Sequence, residues 1–274
     1  NAFVPANAKG GRIDPDTIVI HYTAGPSGKA TVNLFKRPNI VVSAHLVIHE
    51  DGTATQMVDF NLRANHAGRS SWGGRSGYNK YSIGIEISNP GYLVENPKGD
   101  GYVTWWEAKK DNPNKVPDEL VYEGAHRNSS VAMRHWHKYT DAQIETVERI
   151  CKALTDEYNI HYILGHEEIA PKRKTDPGPA YPLEELRKNV LGSAKMEVES
   201  EEDLQPGTKG KVKVNLNIRT QPSMNADKVT DPIPEGTVVE LLKENINWYQ
   251  VNYHIIGWVA RDYIELDTSD DEGD

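Results

Sequence analysis

A short acidic stretch near residue 200 divides the chain into two parts with different hydrophobic patterns. Residues 194–207 (AKMEVESEEDLQPG) are rich in glutamate and end in Pro-Gly, which is typical of a solvated linker. Strand and helix signals alternate before this stretch, whereas short strand signals follow one another closely after it. We therefore expect an α/β domain at residues 1–192, an acidic linker at 193–208, a small all-β domain at 209–267 and an acidic tail at 268–274.

Strand signals in the first part predict the centre of a mixed β-sheet flanked by helices. Thr17–Tyr22 (TIVIHY) is an uninterrupted apolar and β-branched run, as in a buried strand. Ser43–Glu50 leads through an Asp-Gly turn into Thr53–Val58, which predicts a hairpin. Ser82–Ser88 alternates isoleucine with small or polar residues, including Glu86, so one face is expected to be apolar and the other open to polar surroundings.

The remainder of the first part predicts two helices and one irregular segment. Residues 90–136 are rich in glycine, proline and asparagine and are too long for a plain loop, so we expect an irregular excursion from the core. Thr140 and Gln143 form the pattern of a capping box, which predicts the start of an amphipathic helix. Residues 160–164 are a strand candidate, residues 167–182 are expected to be mostly loop, and residues 182–190 predict a closing helix that begins at proline.

Charge, hydropathy and cysteine content narrow the range of functions. The net charge of −9 makes binding to nucleic acid unfavourable, and no apolar run reaches the length of a membrane span. The single cysteine, Cys151, excludes an internal disulfide and lies on the predicted amphipathic helix, where packing is expected.

Two of the ten histidines lie where strands end and the chain turns. His21 ends the strand TIVIHY, and His166 follows the strand YILG; Asp176 comes ten residues later on a proline-stiffened loop. A lone histidine in a strand more commonly packs or lies at the surface. Two imidazole nitrogens and one carboxylate oxygen with a fourth position left for water are, however, the ligand set of a catalytic zinc site.

Two further charged residues have both a chemical and a structural interpretation. Glu86 lies on the polar face of its strand, where partial burial raises the pKa of a carboxyl group and favours a general base; the alternative is a salt-bridged sheet carboxylate. Lys174 lies two residues before Asp176, where it could stabilise negative charge on a carbonyl oxygen; the alternative is an ordinary surface charge.

The order of these motifs resembles one known family. Residues from about 13 to 190 are similar to the type-2 N-acetylmuramoyl-L-alanine amidases, the zinc amidase fold shared with peptidoglycan recognition proteins. The matching pieces, in order, are IVIHYTA, SAHLVIHEDGTATQMV, NHAGRSSW, SIGIEISN, YTDAQIETV and GHEEIAPKRKTDPGP.

The resemblance implies specific roles and a specific reaction. It implies zinc ligation by His21, His166 and Asp176, a catalytic carboxylate at Glu86 and an oxyanion-side cation at Lys174. The implied reaction is zinc-dependent hydrolysis of the amide between N-acetylmuramic acid and L-alanine in bacterial peptidoglycan.

The same resemblance suggests positions for two more residues, and the chain differs from some members of the family at two positions. It places His66 and Trp72 near the substrate groove, and His45 is a further candidate for substrate contact because it lies on the second strand. Some relatives carry a tyrosine where this chain has Ala44, so no tyrosine role transfers. Other relatives use cysteine as the third zinc ligand. This chain has Asp176 at that position, and it resembles the branch of the family that has an aspartate there and also carries the glutamate on the strand.

The C-terminal part resembles a bacterial SH3-type domain over residues 210–266, through LNIRTQPS, PEGTVVELL, NWYQVNY and GWVARDYI. This implies binding to wall peptides; Trp248 and Trp258 are candidates for a binding face or for the core. The resulting hypothesis is a monomeric enzyme with peptidoglycan or muropeptides as its partner. We expect it to be secreted or in the cell envelope, or to be phage-encoded and acting on the wall. The alternative is a recognition module that binds peptidoglycan without cutting it.

Overall fold

The structure is a computed structural model that describes residues 2–128, 130–192, 202–220, 227–245, 248–253 and 256–266. The chain forms two compact units, one comprising Asn1–Ser70 with Gly77–Gly192 and the other Ser71–Ser76 with Ser193–Asp274. Most of the predicted linker, residues 193–201, and the acidic tail lie outside the described residues. The predicted domain and linker boundaries stay predictions.

The strands are numbered in chain order. They are β1 (Ala2–Phe3), β2 (Thr17–Tyr22), β3 (Leu46–Ile48), β4 (Ala54–Gln56), β5 (Ser71–Trp72), β6 (Arg75–Ser76), β7 (Ser82–Ile87), β8 (Leu93–Glu95), β9 (Tyr102–Thr104), β10 (Val121–Glu123), β11 (His135–His137), β12 (Tyr162–Gly165), β13 (Glu202–Asp203), β14 (Lys209–Val212), β15 (Val238–Asn245), β16 (Trp248–Asn252), β17 (Ile256–Ala260) and β18 (Ile264–Leu266). The α-helices are α1 (Gly28–Phe35), α2 (Asp141–Glu157), α3 (His166–Ile169) and α4 (Leu183–Leu191).

A six-stranded mixed sheet forms the centre of the first unit, with the strand order β1-β4-β3-β7-β2-β12. Strands β3, β7, β2 and β12 run parallel to their neighbours in this order, and β3 and β4 form the antiparallel hairpin. This arrangement confirms the predicted α/β fold class. The carboxyl ends of parallel strands lie at one edge of the sheet, which is where α/β proteins commonly bind ligands.

One face of the sheet packs against α2 and α4. The isoleucines of β2 and β7 lie on this face, and they share a core with apolar residues of the two helices: Ile18, Ile20, Ile83, Ile85, Ile87, Val147, Cys151, Leu154, Leu183 and Leu186. Helix α2 begins at the predicted capping box, because Gln143 N–H donates to Thr140 Oγ1 at 3.2 Å and Thr140 N–H donates to Gln143 Oε1 at 3.1 Å. The predicted packing of Cys151 is confirmed.

The opposite face of the sheet packs against α1. Val32 and Phe35 of this helix contact Val47 of β3 in a second core. Because side chains alternate along a strand, His21 and Glu86 point to this face and away from the isoleucine core. The sequence interpretation omitted α1, which begins at Gly28 and contains β-branched residues; both features lower helix propensity.

The predicted excursion contains two short hairpins. Strands β8 and β9 pair antiparallel, as do β10 and β11, and Trp136 of β11 is buried. The pair His135 and His137 lies on the other side of β11. His135 stacks on the ring of Tyr102, and these two histidines are not part of any metal-ligating group among the described residues.

The second unit contains a strand-rich core, as expected for an SH3-like barrel. Its sheet order is β17-β16-β15-β14-β18, and β13 also pairs with β15. Trp248 is 1% exposed and Trp258 is 5% exposed, which favours core packing for both of these side chains over a place on a binding face. Over the part of the chain that is described, no helix is both long enough and apolar enough to span a bilayer.

Candidate metal centre

Two neighbouring parallel strands bring the first site residues together. In the register of β2 and β7, His21 pairs with Glu86, so both side chains project from the same face near the carboxyl ends of their strands. Strand β12 lies on the other side of β2, and His166 follows its last residue directly. The fold therefore positions two histidines and one glutamate at a single edge of the sheet.

Three donor atoms converge at this edge. The Nδ1 atoms of His21 and His166 are 2.9 Å apart, and each lies 2.9 Å from Asp176 Oδ2. All three side chains are buried. Within the described ranges, this is the one group of three or more histidine, cysteine or acidic side chains whose donor atoms lie close enough to share an ion. The predicted ligand candidates thus lie together and fit a metal ion.

The protonation states of these residues suit metal ligation. Burial, and secondarily the nearby His166, lowers the pKa of His21 to about 4, so His21 is neutral near pH 7. Burial alone would raise the pKa of Asp176, but the influence of the two neighbouring histidines outweighs it and holds this pKa below its usual value. The group therefore presents a neutral imidazole and an ionised carboxylate, which are the forms that bind metals.

The remaining ring nitrogens of the two histidines are held by outer contacts. His166 Nε2–H donates to the carbonyl of Ala67 at 3.0 Å, which leaves Nδ1 unprotonated. His21 Nε2 lies 2.9 Å from His66 Nδ1, and His66 Nε2 in turn lies 3.3 Å from Ser82 Oγ. A proton on each Nε2 satisfies this chain of contacts. These outer partners fix both ligand nitrogens toward the centre.

A glycine makes room for the His66 ring. A Cβ added at Gly84 would lie 2.4 Å from the ring of His66, so this ring occupies the space above the sheet that a side chain would fill. His66 was expected near the substrate groove. Its ring lines the cleft and also supports His21, and its predicted contact with substrate stays a prediction.

Glu86 combines partial exposure to the cleft with an unpaired oxygen. Its Oε2 atom is buried and has no hydrogen-bond partner among the described residues. Burial raises the pKa of Glu86 well above its usual value, and the nearby Asp176 raises it further, whereas Lys174 lowers it. A carboxyl group that has one oxygen without a structural partner and a raised pKa is available to exchange a proton in the cleft.

Two cations line the same cleft. Lys174 lies close enough to lower the pKa of both His21 and Glu86. Arg173 donates from Nη2 to the carbonyls of Ala67 and Arg69, at 2.8 and 2.9 Å. Arg173 therefore holds the loop near His66, whereas Lys174 provides positive charge beside Glu86. The sequence analysis did not single out Arg173, because a basic run alone gives no sign of its carbonyl partners.

The cleft itself has a volume of about 380 Å³. Its floor contains Glu86 and the three residues of the candidate metal centre, His21, His166 and Asp176. One wall comes from α1 and the following segment, through Leu34, Phe35 and Val42. These apolar residues were not predicted as part of the site because α1 was not predicted. The cleft thus joins one apolar wall to a polar and cationic floor, as small-molecule and peptide sites commonly do.

Two predicted substrate contacts have other surroundings. His45 is fully buried, its Nε2–H donates to the Leu62 carbonyl at 2.9 Å, and its Nδ1 accepts from Gly84 N–H at 2.9 Å. Both ring nitrogens are thus engaged by main chain, which is a packing role, and the predicted substrate contact of His45 has no support from these bonds. Trp72 lies in β5 of the second unit, and its role in substrate binding stays a prediction.

Comparison with known families gives the same assignment. The family model described as N-acetylmuramoyl-L-alanine amidase matches residues 11–179, which is more than half of the chain. The chain belongs to this amidase family. A second model, the bacterial SH3 domain, matches residues 214–265. Both resemblances found in the sequence are therefore confirmed.

The chain is also similar to individual amidases. The chain is 28% identical over 204 residues to the 1,6-anhydro-N-acetylmuramyl-L-alanine amidase AmpD of Citrobacter freundii, covering 68% of this chain and 86% of that protein. It is 33% identical to AmpD of Escherichia coli K12, covering 51% of this chain and 54% of that relative. A solved complex of the amidase AmiD from E. coli with the substrate anhydro-N-acetylmuramic acid-L-Ala-D-gamma-Glu-L-Lys is 23% identical, with a TM-score of 0.47, over 72% of this chain and 67% of that one.

Proposed function

We propose that this chain is a zinc-dependent N-acetylmuramoyl-L-alanine amidase that hydrolyses the amide between N-acetylmuramic acid and L-alanine in bacterial peptidoglycan. The observation that carries this proposal is the convergence of His21 Nδ1, His166 Nδ1 and Asp176 Oδ2 at 2.9 Å, with a carboxylate and an ammonium group beside them. The family membership and the names of the amidase relatives support the same bond.

Zinc is the metal that best suits this donor set. Two imidazole nitrogens and one carboxylate oxygen, with no cysteine, are the ligands of catalytic zinc sites that keep one position open. A bound zinc ion would polarise a carbonyl group and lower the pKa of a water molecule. His66 and the Ala67 carbonyl would keep the two ligand imidazoles in the tautomer that this ion requires.

Glu86 is the proposed general base. Its raised pKa brings its proton affinity closer to that of a base working near neutral pH, and its free Oε2 is not committed to a structural bond among the described residues. Glu86 would accept a proton from the attacking water and return it to the amine of L-alanine as the C–N bond breaks. The same carboxyl group thus serves as base and then as acid.

Lys174 is the proposed partner of the developing oxyanion. When water adds to the amide carbonyl, negative charge collects on the carbonyl oxygen, and an ammonium group beside it lowers the energy of that state. The opposite influences of Lys174 and Asp176 on the pKa of Glu86 show that the three charges lie within mutual electrostatic range. Arg173 is committed to loop carbonyls and is not proposed for this role.

The rival function is a recognition module that binds peptidoglycan without cutting it. Such a module has no need of a complete ligand set with an unpaired carboxylate oxygen beside it. Here His21, His166 and Asp176 are all present and converge, and Glu86 has a free oxygen. These observations favour the enzyme.

The C-terminal region supports action on a polymer. We propose that the SH3-type region binds wall peptides and that the enzyme acts as a monomer in the cell envelope or on the wall, whether it is host- or phage-encoded. A second binding site on the same chain raises the effective concentration of the enzyme at an insoluble polymer. An enzyme that acts on a small diffusible muropeptide gains little from such a region.

Product analysis tests the proposed bond. Purified zinc-loaded protein is incubated with a muropeptide, and the products are identified by mass spectrometry. The expected products are an intact stem peptide with a free N-terminal L-alanine and a sugar with a free lactyl carboxyl group. Cleavage at any other bond, or no cleavage by protein that binds zinc and peptidoglycan, would overturn the proposal.

A further inference from the structure

Helix α3 and the residues after it, up to Gly178, are called here the loop 166–178. This loop carries the predicted site residues His166, Lys174 and Asp176, and its two ends are joined by Glu167. Glu167 N–H donates to the carbonyl of Asp176 at 2.8 Å, and Gly178 N–H donates to Glu167 Oε2 at 3.2 Å. Glu167 thus bridges the loop directly next to both metal ligands on it. The main chain and the carboxylate of Glu167 therefore both tie the part of the chain that carries His166 to the part that carries Asp176.

The carboxylate of Glu167 is held by residues of the excursion. Glu167 is 4% exposed, and a buried carboxylate requires partners. His126 Nε2 lies 2.5 Å from Glu167 Oε2, and Arg127 Nε lies 3.2 Å from Oε1. His126 Nδ1 accepts from Asn128 N–H at 3.0 Å, so its proton is on Nε2 and is donated to Glu167.

Other residues of the same segment contact the loop independently. Tyr139 Oη–H donates to the Pro177 carbonyl at 2.8 Å. The ring of Trp136 stacks on His126 and would lie 3.0 Å from a Cβ at Gly178. The Asn128 side-chain amide donates to the Pro171 carbonyl. The returning part of the excursion therefore touches the loop near both of its ends and in its middle.

We propose that residues 126–128 and 130–139, which comprise the returning part of the excursion and the three residues after it, are a clamp that holds the loop 166–178 in its metal-binding geometry, with His126 as a positioning residue that acts through Glu167. This inference rests on the proposed zinc site. It gives a function to a segment that the sequence patterns left without one. His126 does not line the cleft and acts on the site only through the loop.

Zinc affinity, measured by competition with a chromophoric chelator, tests the clamp. His126→Leu removes the donor to Glu167, and we expect zinc affinity to fall about 10-fold or more, as for other outer partners of metal ligands. His126→Gln keeps an N–H donor near the Nε2 position and is expected to restore most of the affinity. The matched control is His135→Leu, which changes another histidine of the excursion that stacks on Tyr102 instead.

A double variant keeps the clamp testable if the single variant His126→Leu does not fold. His126→Leu leaves a buried unpaired carboxylate, whereas His126→Leu with Glu167→Leu replaces the pair by apolar groups, which proteins commonly tolerate. We expect this double variant to fold and still to bind zinc more weakly. The visible spectrum of the cobalt-loaded protein provides a second measure, because it reports ligand geometry, and it should change in the leucine variants but not in His135→Leu.

Amide hydrogen exchange on the metal-free protein separates the two possible failures. If residues 166–178 exchange faster in the leucine variants, the clamp is supported whether or not the parent protein binds zinc. If the parent protein binds no zinc, the proposed function is overturned while the clamp stands. Normal zinc binding by the parent protein, with unchanged affinity, spectrum and exchange in the variants, would overturn the clamp and leave the function in place. Equal weakening of zinc affinity by His135→Leu would overturn the assignment of His126 as the positioning residue.

Discussion

The Nε2 atom of His21 lies 2.9 Å from Nδ1 of His66, so one histidine supports the ring of another. His21 presents its Nδ1 to the candidate metal centre, which requires its proton to be on Nε2. His66 accepts that proton in a hydrogen bond and passes its own Nε2–H toward Ser82. The space for His66 exists because residue 84 is glycine. Gly84 therefore leaves room for His66, which contacts the ring of the candidate ligand His21.

The first prediction concerns this support. His66→Ala should lower zinc affinity about 10- to 100-fold, because His21 loses the acceptor that fixes its tautomer. His66→Asn places a side-chain oxygen near the position of Nδ1 and should recover part of the loss. Competition with a chelator measures the zinc affinity of both variants. The control is His161→Ala, which changes an exposed histidine. Unchanged affinity in His66→Ala would mean that His21 is positioned without His66.

The second prediction separates metal binding from turnover at Glu86. Glu86→Gln has nearly the same shape and should leave zinc bound, since Glu86 is not one of the three converging donors. Loss of the general base should lower kcat by about 10²- to 10⁴-fold. Zinc content and amide hydrolysis are measured on the same preparation. Near-normal turnover with zinc bound would exclude Glu86 as the base.

The third prediction concerns pH. Burial raises the pKa of Glu86, so Glu86 stays protonated at pH values where an ordinary carboxyl group is already ionised. A base must be ionised, so kcat/KM should rise with pH through this raised pKa. Lys174 lowers the pKa of Glu86, so Lys174→Met should move this acidic limb to higher pH. A limb near the ordinary glutamate value of about 4.3, or a downward shift in the variant, would contradict the assignment.

The fourth prediction concerns the C-terminal unit. A chain that ends at Gly192 should lose more activity on insoluble cell walls than on soluble muropeptides, because only the polymer offers a second binding site. Zinc content and circular dichroism of the shortened chain control for damage to the metal centre. Equal losses on the two substrates would contradict the role of the SH3-type region as a wall tether.

Much of the site could be predicted because its residues follow strand ends. His21 comes at the end of a buried strand, Glu86 lies on the polar face of an alternating strand, and Asp176 lies on a proline-stiffened loop after His166. Strand periodicity, turn residues and the motif order of the family carry this information. The capping box at Thr140 is likewise a local signal, and the structure shows both of its hydrogen bonds.

What the sequence did not predict depends on contacts between distant residues. The bond between His126 and Glu167 joins residues 41 positions apart, and nothing local marks either of them as a partner. Helix α1 was missed because it is short and begins at glycine, so packing of Val32 and Phe35 on the sheet, not propensity, stabilises it. The strand pattern predicts that His45 is available to substrate, because it does not show the two main-chain groups that hold the His45 ring.

The measurement that tests the central claim most directly is zinc stoichiometry, paired with amine release from purified peptidoglycan before and after chelation. We predict one zinc ion per chain, loss of amine release when zinc is removed, and recovery when zinc is restored. His21→Ala should abolish both properties, because it removes one of the three converging donors. Well-folded protein that binds peptidoglycan but holds no zinc and releases no amine would contradict the account and identify a recognition module.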